Sequence, residues 1–262
     1  MRVAAAFRAA AEEGRAALMP YMMAGFPDPQ ATAAIAAAYA DAGADLVEVG
    51  VPFSDPLADG PVIHAAATEA LRRGARFETA LDAVGALGEG VPAVIMCYAN
   101  MVHSLGAERF AGRIAAAGAA GAIVPDLPLE EGDEVRRALA AAELASIPLI
   151  APTTPPARRR EICATATGFV YVVSSVGTTG EREELPRRLG ELVAAVKEEA
   201  SVPVAVGFGI GTPEQAAAVG AIADGVIIGS RLVRAAGEAD SAPAAATAVG
   251  DFIGAARAAL AG

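Results

Sequence analysis

Residues 32–51 read Thr32-Ala33-Ala34-Ile35-Ala36-Ala37-Ala38-Tyr39-Ala40-Asp41-Ala42-Gly43-Ala44-Asp45-Leu46-Val47-Glu48-Val49-Gly50-Val51. This is one complete structural unit. Its first part, 32–42, is rich in alanine, the strongest helix former, and is apolar on nearly all sides. Gly43 then stands where a helix ends in a left-handed cap. The last part, 45–51, is too short for a typical helix, and its apolar residues do not alternate with polar ones. A short, continuously apolar run of this kind is the pattern of a parallel strand covered on both faces.

The same unit recurs outward in both directions. Further short apolar runs lie at 18–24, 93–98, 121–125, 147–151, 169–173, 204–208 and 225–228. Helical stretches at 107–117, 130–142, 186–200 and 213–219 fall between them. Thr212 before Pro213, with Glu214 behind, is a helix start, and Gly118 and Gly168 repeat the cap role of Gly43. Residues 1–15 form an extra amphipathic helix ahead of the first strand, and 244–259 a closing helix. Eight strands alternating with helices predict an α/β chain, a (β/α)8 barrel (TIM barrel), with an open doubly wound sheet as the alternative. No composition shift or long linker divides residues 1–262, which read as a single barrel domain.

Composition narrows the function. The 31 acidic residues outnumber the 20 basic ones, for a net charge of −11, which argues against nucleic acid or an anionic membrane as the main partner. Two cysteines cannot form a disulfide framework and suit a reducing, cytoplasmic setting. His64 and His103 lack metal-ligand spacing. The N-terminus does not read as a secretory signal, and the uncharged stretch 162–180 holds too many Ser, Thr and Gly residues for a membrane span.

In such a barrel the chemistry sits at the C-terminal ends of the strands. Glu48 is the most informative residue there. A carboxylate between Val47 and Val49, in a strand buried on both faces, is costly unless paired or protonated, and an apolar setting raises its pKa toward the acid–base range. Asp55 and Asp59 follow in the Pro- and Gly-bounded loop 52–61, so a loop aspartate and Glu48 form a carboxylate pair that can divide acid and base roles. Gly207 and Gly209, then Gly229-Ser230, end two consecutive strands where many barrels bind phosphate. Gly177 and Gly180 add candidate N–H donors, and residues 177–185 read as either a lid or a solvated loop. Tyr21, Tyr98, Tyr171 and Phe208 fit core packing singly and an aromatic pocket together. His64 reads as a surface or capping residue near a helix start, and Arg158-Arg159-Arg160 as a solvated helix face.

Over nearly its whole length the chain resembles the tryptophan synthase α subunit family. The most specific segment is Val47-Glu48-Val49-Gly50-Val51-Pro52-Phe53-Ser54-Asp55-Pro56-Leu57-Ala58-Asp59-Gly60-Pro61, similar to the family signature around two catalytic carboxylates. Pro27-Asp28, Tyr98-Ala99-Asn100, Pro125-Asp126-Leu127-Pro128, Thr179-Gly180, Gly207-Phe208-Gly209-Ile210 and residues 223–230 support it. The sequence departs from the family pattern at His64, Thr178 and Arg231.

The resemblance implies cleavage of indole-3-glycerol phosphate to indole and glyceraldehyde 3-phosphate, a lyase reaction of tryptophan biosynthesis. It makes Glu48 the principal acid–base residue and Asp59 the second catalytic carboxylate. It places Tyr21, Ile63, Met96, Pro125, Leu127, Tyr171, Thr179 and Phe208 around the substrate, and Gly180, Gly209, Gly229 and Ser230 at its phosphate. It also implies a β-subunit partner in an α2β2 complex. No cofactor or metal is expected in this chain, and pyridoxal phosphate would belong to the β subunit. A stand-alone lyase releasing free indole, or a catalytically weak activating subunit, shares the same residues.

Overall fold

A computed structural model describes residues 2–88, 90–173, 188–207 and 209–262 of the chain. Thr179, Gly180, Phe208 and the stretch 177–185 lie outside the described residues.

The strands are β1 (Ala17–Met23), β2 (Val47–Gly50), β3 (Ala93–Met96), β4 (Ala119–Ile123), β5 (Ala145–Ser146), β6 (Leu149–Ile150), β7 (Val170–Val173), β8 (Val204–Gly207) and β9 (Gly225–Ile228). Every pairing is parallel, in the order β5-β4-β3-β2-β1-β9-β8-β7-β6. The two ends of this sheet are consecutive pieces of one chain segment. Ala145, Ser146 and the Ile147 N–H bond toward β4, whereas the Pro148 carbonyl, Leu149 and Ile150 bond toward β7. The segment is therefore the fifth stave of a closed (β/α)8 barrel. Pro148 has no N–H for the ladder, which helps explain why the expected strand at 147–151 is two short pieces.

The helices are α1 (Arg2–Glu12), α2 (Pro29–Asp41), α3 (Pro61–Arg72), α4 (Phe77–Leu87), α5 (Ala99–Leu105), α6 (Ala107–Ala116), α7 (Asp133–Ala141), α8 (Pro156–Thr165), α9 (Leu189–Glu199), α10 (Pro213–Gly220), α11 (Ser230–Gly237) and α12 (Ala242–Ala261). Local chemistry sets several ends. Asp28 caps α2 by accepting from the N–H groups of Gln30 and Ala31, with Pro29 at the first position. Thr212 caps α10 in the same way. Gly43 and Gly118 directly follow the C-caps of α2 and α6 with φ of 86° and 91°, as expected of cap glycines, whereas α8 ends on an extended Ala166 and Gly168 lies beyond its cap. α12 is long and apolar enough to cross a membrane by length and composition alone. Its buried residues Ala245, Val249, Ile253, Ala256 and Leu260 form one stripe in the hydrophobic layer between sheet and helices.

Two hydrophobic layers explain the non-alternating strands. Val47, Val49, Ile95, Val170, Val172, Val204, Val206, Val226 and Ile228 face the helices. Met19, Tyr21, Val94, Met96, Phe169, Tyr171, Ala205 and Ile227 fill the barrel interior. The extra helix α1 adds Val3, Phe7 and Ala10 to that interior, with the Phe7 ring 5.4 Å from Phe169. It plugs the N-terminal mouth, so the interior opens only at the other end.

Candidate active site

The site begins with strand parity. Val47 and Val49 point to the helix layer, so Glu48 points into the barrel, where it is only 2% exposed. Tyr21 of β1 is its register partner across the parallel ladder. Gly50, two residues on, leaves room for that tyrosine: a Cβ there would lie 2.0 Å from the Tyr21 hydroxyl oxygen. The pattern repeats across the barrel. Tyr171 of β7 pairs with Ala205 of β8, and a Cβ on Gly207 would lie 2.2 Å from the Tyr171 hydroxyl oxygen. Two tyrosines thus lean over two glycines on neighbouring strands.

These residues wall a cavity of about 460 Å³, open solvent included, at the C-terminal mouth. Glu48 and Asp59 supply its carboxyl groups. Tyr21, Ile63, Met96, Tyr171, Ile210 and Ile227 supply its apolar wall, and Gly209, Gly229 and Ser230 a backbone rim. Gly209 has φ +88°, a conformation suited to glycine. Gly229 caps α11, whose first turn leaves the Ser230 and Arg231 N–H groups without helical acceptors.

The loop carrying Asp59 is pinned to the barrel by Tyr98. The Tyr98 ring stacks on Phe53 at 5.1 Å, and its hydroxyl accepts from the Ala58 N–H at 3.1 Å, one residue before Asp59. The Asp59 N–H donates to the Pro56 carbonyl, and Gly60 and Pro61 then start α3, which carries Ile63 into the cavity. Leu57, at the tip of the loop, is 84% exposed.

Burial, together with the nearby Asp59 charge, pushes the Glu48 carboxyl up to about 8. Asp59 is half-buried. Burial raises it to about 6, opposed by the Tyr98 hydrogen bond and by His64. Burial thus favours the neutral form of Glu48 more strongly than that of Asp59, an asymmetry that suits a pair dividing proton-donor and charge-stabilising roles.

The cavity brings together Glu48, Asp59, Tyr21, Ile63, Met96, Tyr171, Gly209, Gly229 and Ser230, as expected. Pro125 and Leu127 are a correction. They line a separate cavity of about 780 Å³, open solvent included, with residues of α7 and α8, and Leu127 packs against the outer hydrophobic layer. Ile210 and Ile227 were not expected. Ile227 was legible, because it shares the inward parity of the last strand with Gly229.

Comparison with known proteins decides the family. A family model described as tryptophan synthase alpha chain matches residues 7–258. The chain belongs to the tryptophan synthase alpha chain family. Relatives with that name include those of Chloroflexus aurantiacus, 45% identical over 235 residues and 88% of both chains, and Carboxydothermus hydrogenoformans, 46% identical over 234 residues and 88% of both. Among solved structures, tryptophan synthase from Mycobacterium tuberculosis superposes with a TM-score of 0.92 at 38% identity, covering 99% of this chain and 98% of that one. Tryptophan synthase subunit alpha from Legionella pneumophila gives 0.88 at 35% identity, covering 99% and 98%. As a member of the tryptophan synthase alpha chain family, the chain has the barrel fold that the strand pattern predicts.

Proposed function

We infer that this chain cleaves indole-3-glycerol phosphate to indole and glyceraldehyde 3-phosphate, as the α subunit of a tryptophan synthase. The observation that carries the reading is the buried Glu48 carboxyl and the Asp59 carboxyl lining one largely apolar pocket.

Carbon–carbon cleavage needs an electron sink, and indole becomes one when its C3 is protonated. Glu48 delivers that proton. Asp59 accepts the indole N–H and stabilises the positive charge that develops on the ring. The side-chain hydroxyl beside the breaking bond then loses its proton to Glu48, now ionised, as the bond electrons return to C3. Indole and the aldehyde leave, and Glu48 is protonated again. Tyr21, Ile63, Met96, Tyr171, Ile210 and Ile227 hold the ring. Backbone N–H groups at Gly209 and at the start of α11 bind the phosphate, and this remote binding orients the reacting bond. Thr179, Gly180 and Phe208, carried by the family resemblance, complete the substrate contacts.

The working unit of this reading is one barrel domain, residues 1–262, in a cytoplasmic α2β2 complex whose β subunit carries pyridoxal phosphate. The test is indole release from indole-3-glycerol phosphate by the purified chain, alone and with a β subunit. Slow release that accelerates strongly with the partner supports the α-subunit role. Fast release by the chain alone makes it a free-standing lyase. No release from folded protein under either condition overturns the reading.

A further inference from the structure

Tyr98 is well placed but does not line the cavity. It is buried at the end of the third stave, just ahead of α5, and the first N–H of that helix, on Ala99, donates to the Asp126 carboxylate at 2.8 Å. Its ring is clamped face to face by Phe53, at 5.1 Å and 21° between planes. The Ala58 N–H occupies a lone pair of its oxygen. A hydroxyl has one proton to give, and with its oxygen accepting from Ala58 that proton remains to support the charge of the neighbouring Asp59 carboxylate.

We propose that Tyr98 is a positioning residue for Asp59: its hydroxyl, fixed by the stack on Phe53, holds the Ala58 N–H and so sets the loop backbone that aims the next residue's carboxylate into the cavity. The proposal deepens the role given to Asp59 above and rests on that reading. Loss of the hydroxyl leaves the Ala58 N–H short of its acceptor and takes its support from the carboxylate. The titratable groups facing Asp59 are Glu48 from β2, Tyr21 from β1, Tyr171 from β7, His64 from α3 and Tyr98 itself. Of these, Glu48 repels the charge, and His64 and Tyr98 support it.

The experiment compares Tyr98→Phe with the unaltered chain. The variant keeps the ring and its stack on Phe53 and removes only the hydroxyl. Turnover of indole-3-glycerol phosphate is measured against pH, with and without a β subunit, and the Asp59 carboxyl is followed by carbon-13 NMR titration. The proposal expects kcat to fall about tenfold or more with a smaller change in KM. It also expects the acidic limb of the rate profile and the Asp59 titration both to move upward from about 6. A rate profile and an Asp59 titration that superimpose on those of the unaltered chain overturn it. So does a Tyr98→Leu variant that loses activity while Tyr98→Phe stays normal, since the ring would then serve only packing. Asp59→Asn separates the two claims. If it keeps turnover, the catalytic reading of Asp59 fails, and the NMR titration in Tyr98→Phe still decides the role of the hydroxyl.

Discussion

The Tyr21 hydroxyl lies directly over the backbone of Gly50, where an added Cβ would be only 2.0 Å from its oxygen. The same glycine follows Glu48 by two residues, so one strand places the acid and clears the space for the pocket wall beside it. Gly50 is therefore specified by a close approach, since the tyrosine ring fills the volume of any larger side chain.

Gly50→Ala forces Tyr21 out of its position. The added methyl meets the ring carbons at 2.6 and 2.8 Å as well as the oxygen, so the ring itself must move. Overpacking of this kind costs about 1–3 kcal/mol. Turnover should fall, and Tyr21→Phe should restore it only in part, because it removes the oxygen and leaves the ring. Steady-state kinetics of the single and double variants check this. Full activity in Gly50→Ala would contradict the packing described.

Activity should follow a bell-shaped pH profile. Asp59 must be ionised, so the rate falls as pH drops through about 6. Glu48 must be protonated, so it falls as pH rises through about 8. The profile of kcat/KM measures both limbs. Replacing Glu48 should leave no alkaline limb to measure, and replacing His64 with Gln should move the acidic limb upward, because His64 lowers the Asp59 value.

Glu48 also makes stability depend on pH. Its folded-state value, about 8, lies above the ordinary 4.5, so the folded protein binds the extra proton between those values. Stability contributed by the neutral acid is complete below 4.5 and is lost as pH rises toward 8, by about 1.4 kcal/mol per pH unit at most. Glu48→Gln removes the loss. Its Tm should exceed that of the unaltered protein by up to about 10 °C at pH 9, with little difference at pH 4. Equal melting temperatures at pH 9 would mean that Glu48 is not held protonated.

A buried ion network ties distant parts of the chain at the closed end of the barrel. Asp45 accepts two hydrogen bonds from Arg15, at 2.6 and 2.7 Å, one from the Leu18 N–H at 2.7 Å and one from Arg257 of α12 at 3.2 Å. Asp45→Ala leaves Arg15, whose side chain is almost fully buried, without its main partner. Loss of one member of a buried pair costs about 3–5 kcal/mol. Denaturant unfolding should show that loss with catalysis at low temperature unchanged, since the network is remote from the site.

Much of this was legible in the sequence because single residues carry local rules. Asp28 before Pro29, Thr212 before Pro213, and Gly43 after a helix specify ends wherever they stand. Glu48 between two valines announces a buried carboxyl. Other features depend on where the chain goes next. Helices α3 and α4 follow a loop rich in Pro and Gly, which reads as turns, so most of the span between the second and third strands gave no helix. The break at Pro148 is a matter of which neighbour each carbonyl reaches. Pro125 and Leu127 stand at a strand end like the residues of the Glu48 cavity, yet they line a second cavity with α7 and α8, and position along a strand does not encode which cavity a residue meets. The role of Tyr98 lies in a contact with Ala58, next to Asp59 and about forty residues earlier in the chain.

The most direct measurement is indole release from indole-3-glycerol phosphate by Glu48→Gln, in protein shown by circular dichroism to be folded. The amide keeps the shape and burial of the acid but has no proton to deliver to C3. The account predicts loss of turnover by at least about a hundredfold with substrate binding retained. Turnover close to that of the unaltered chain would contradict it.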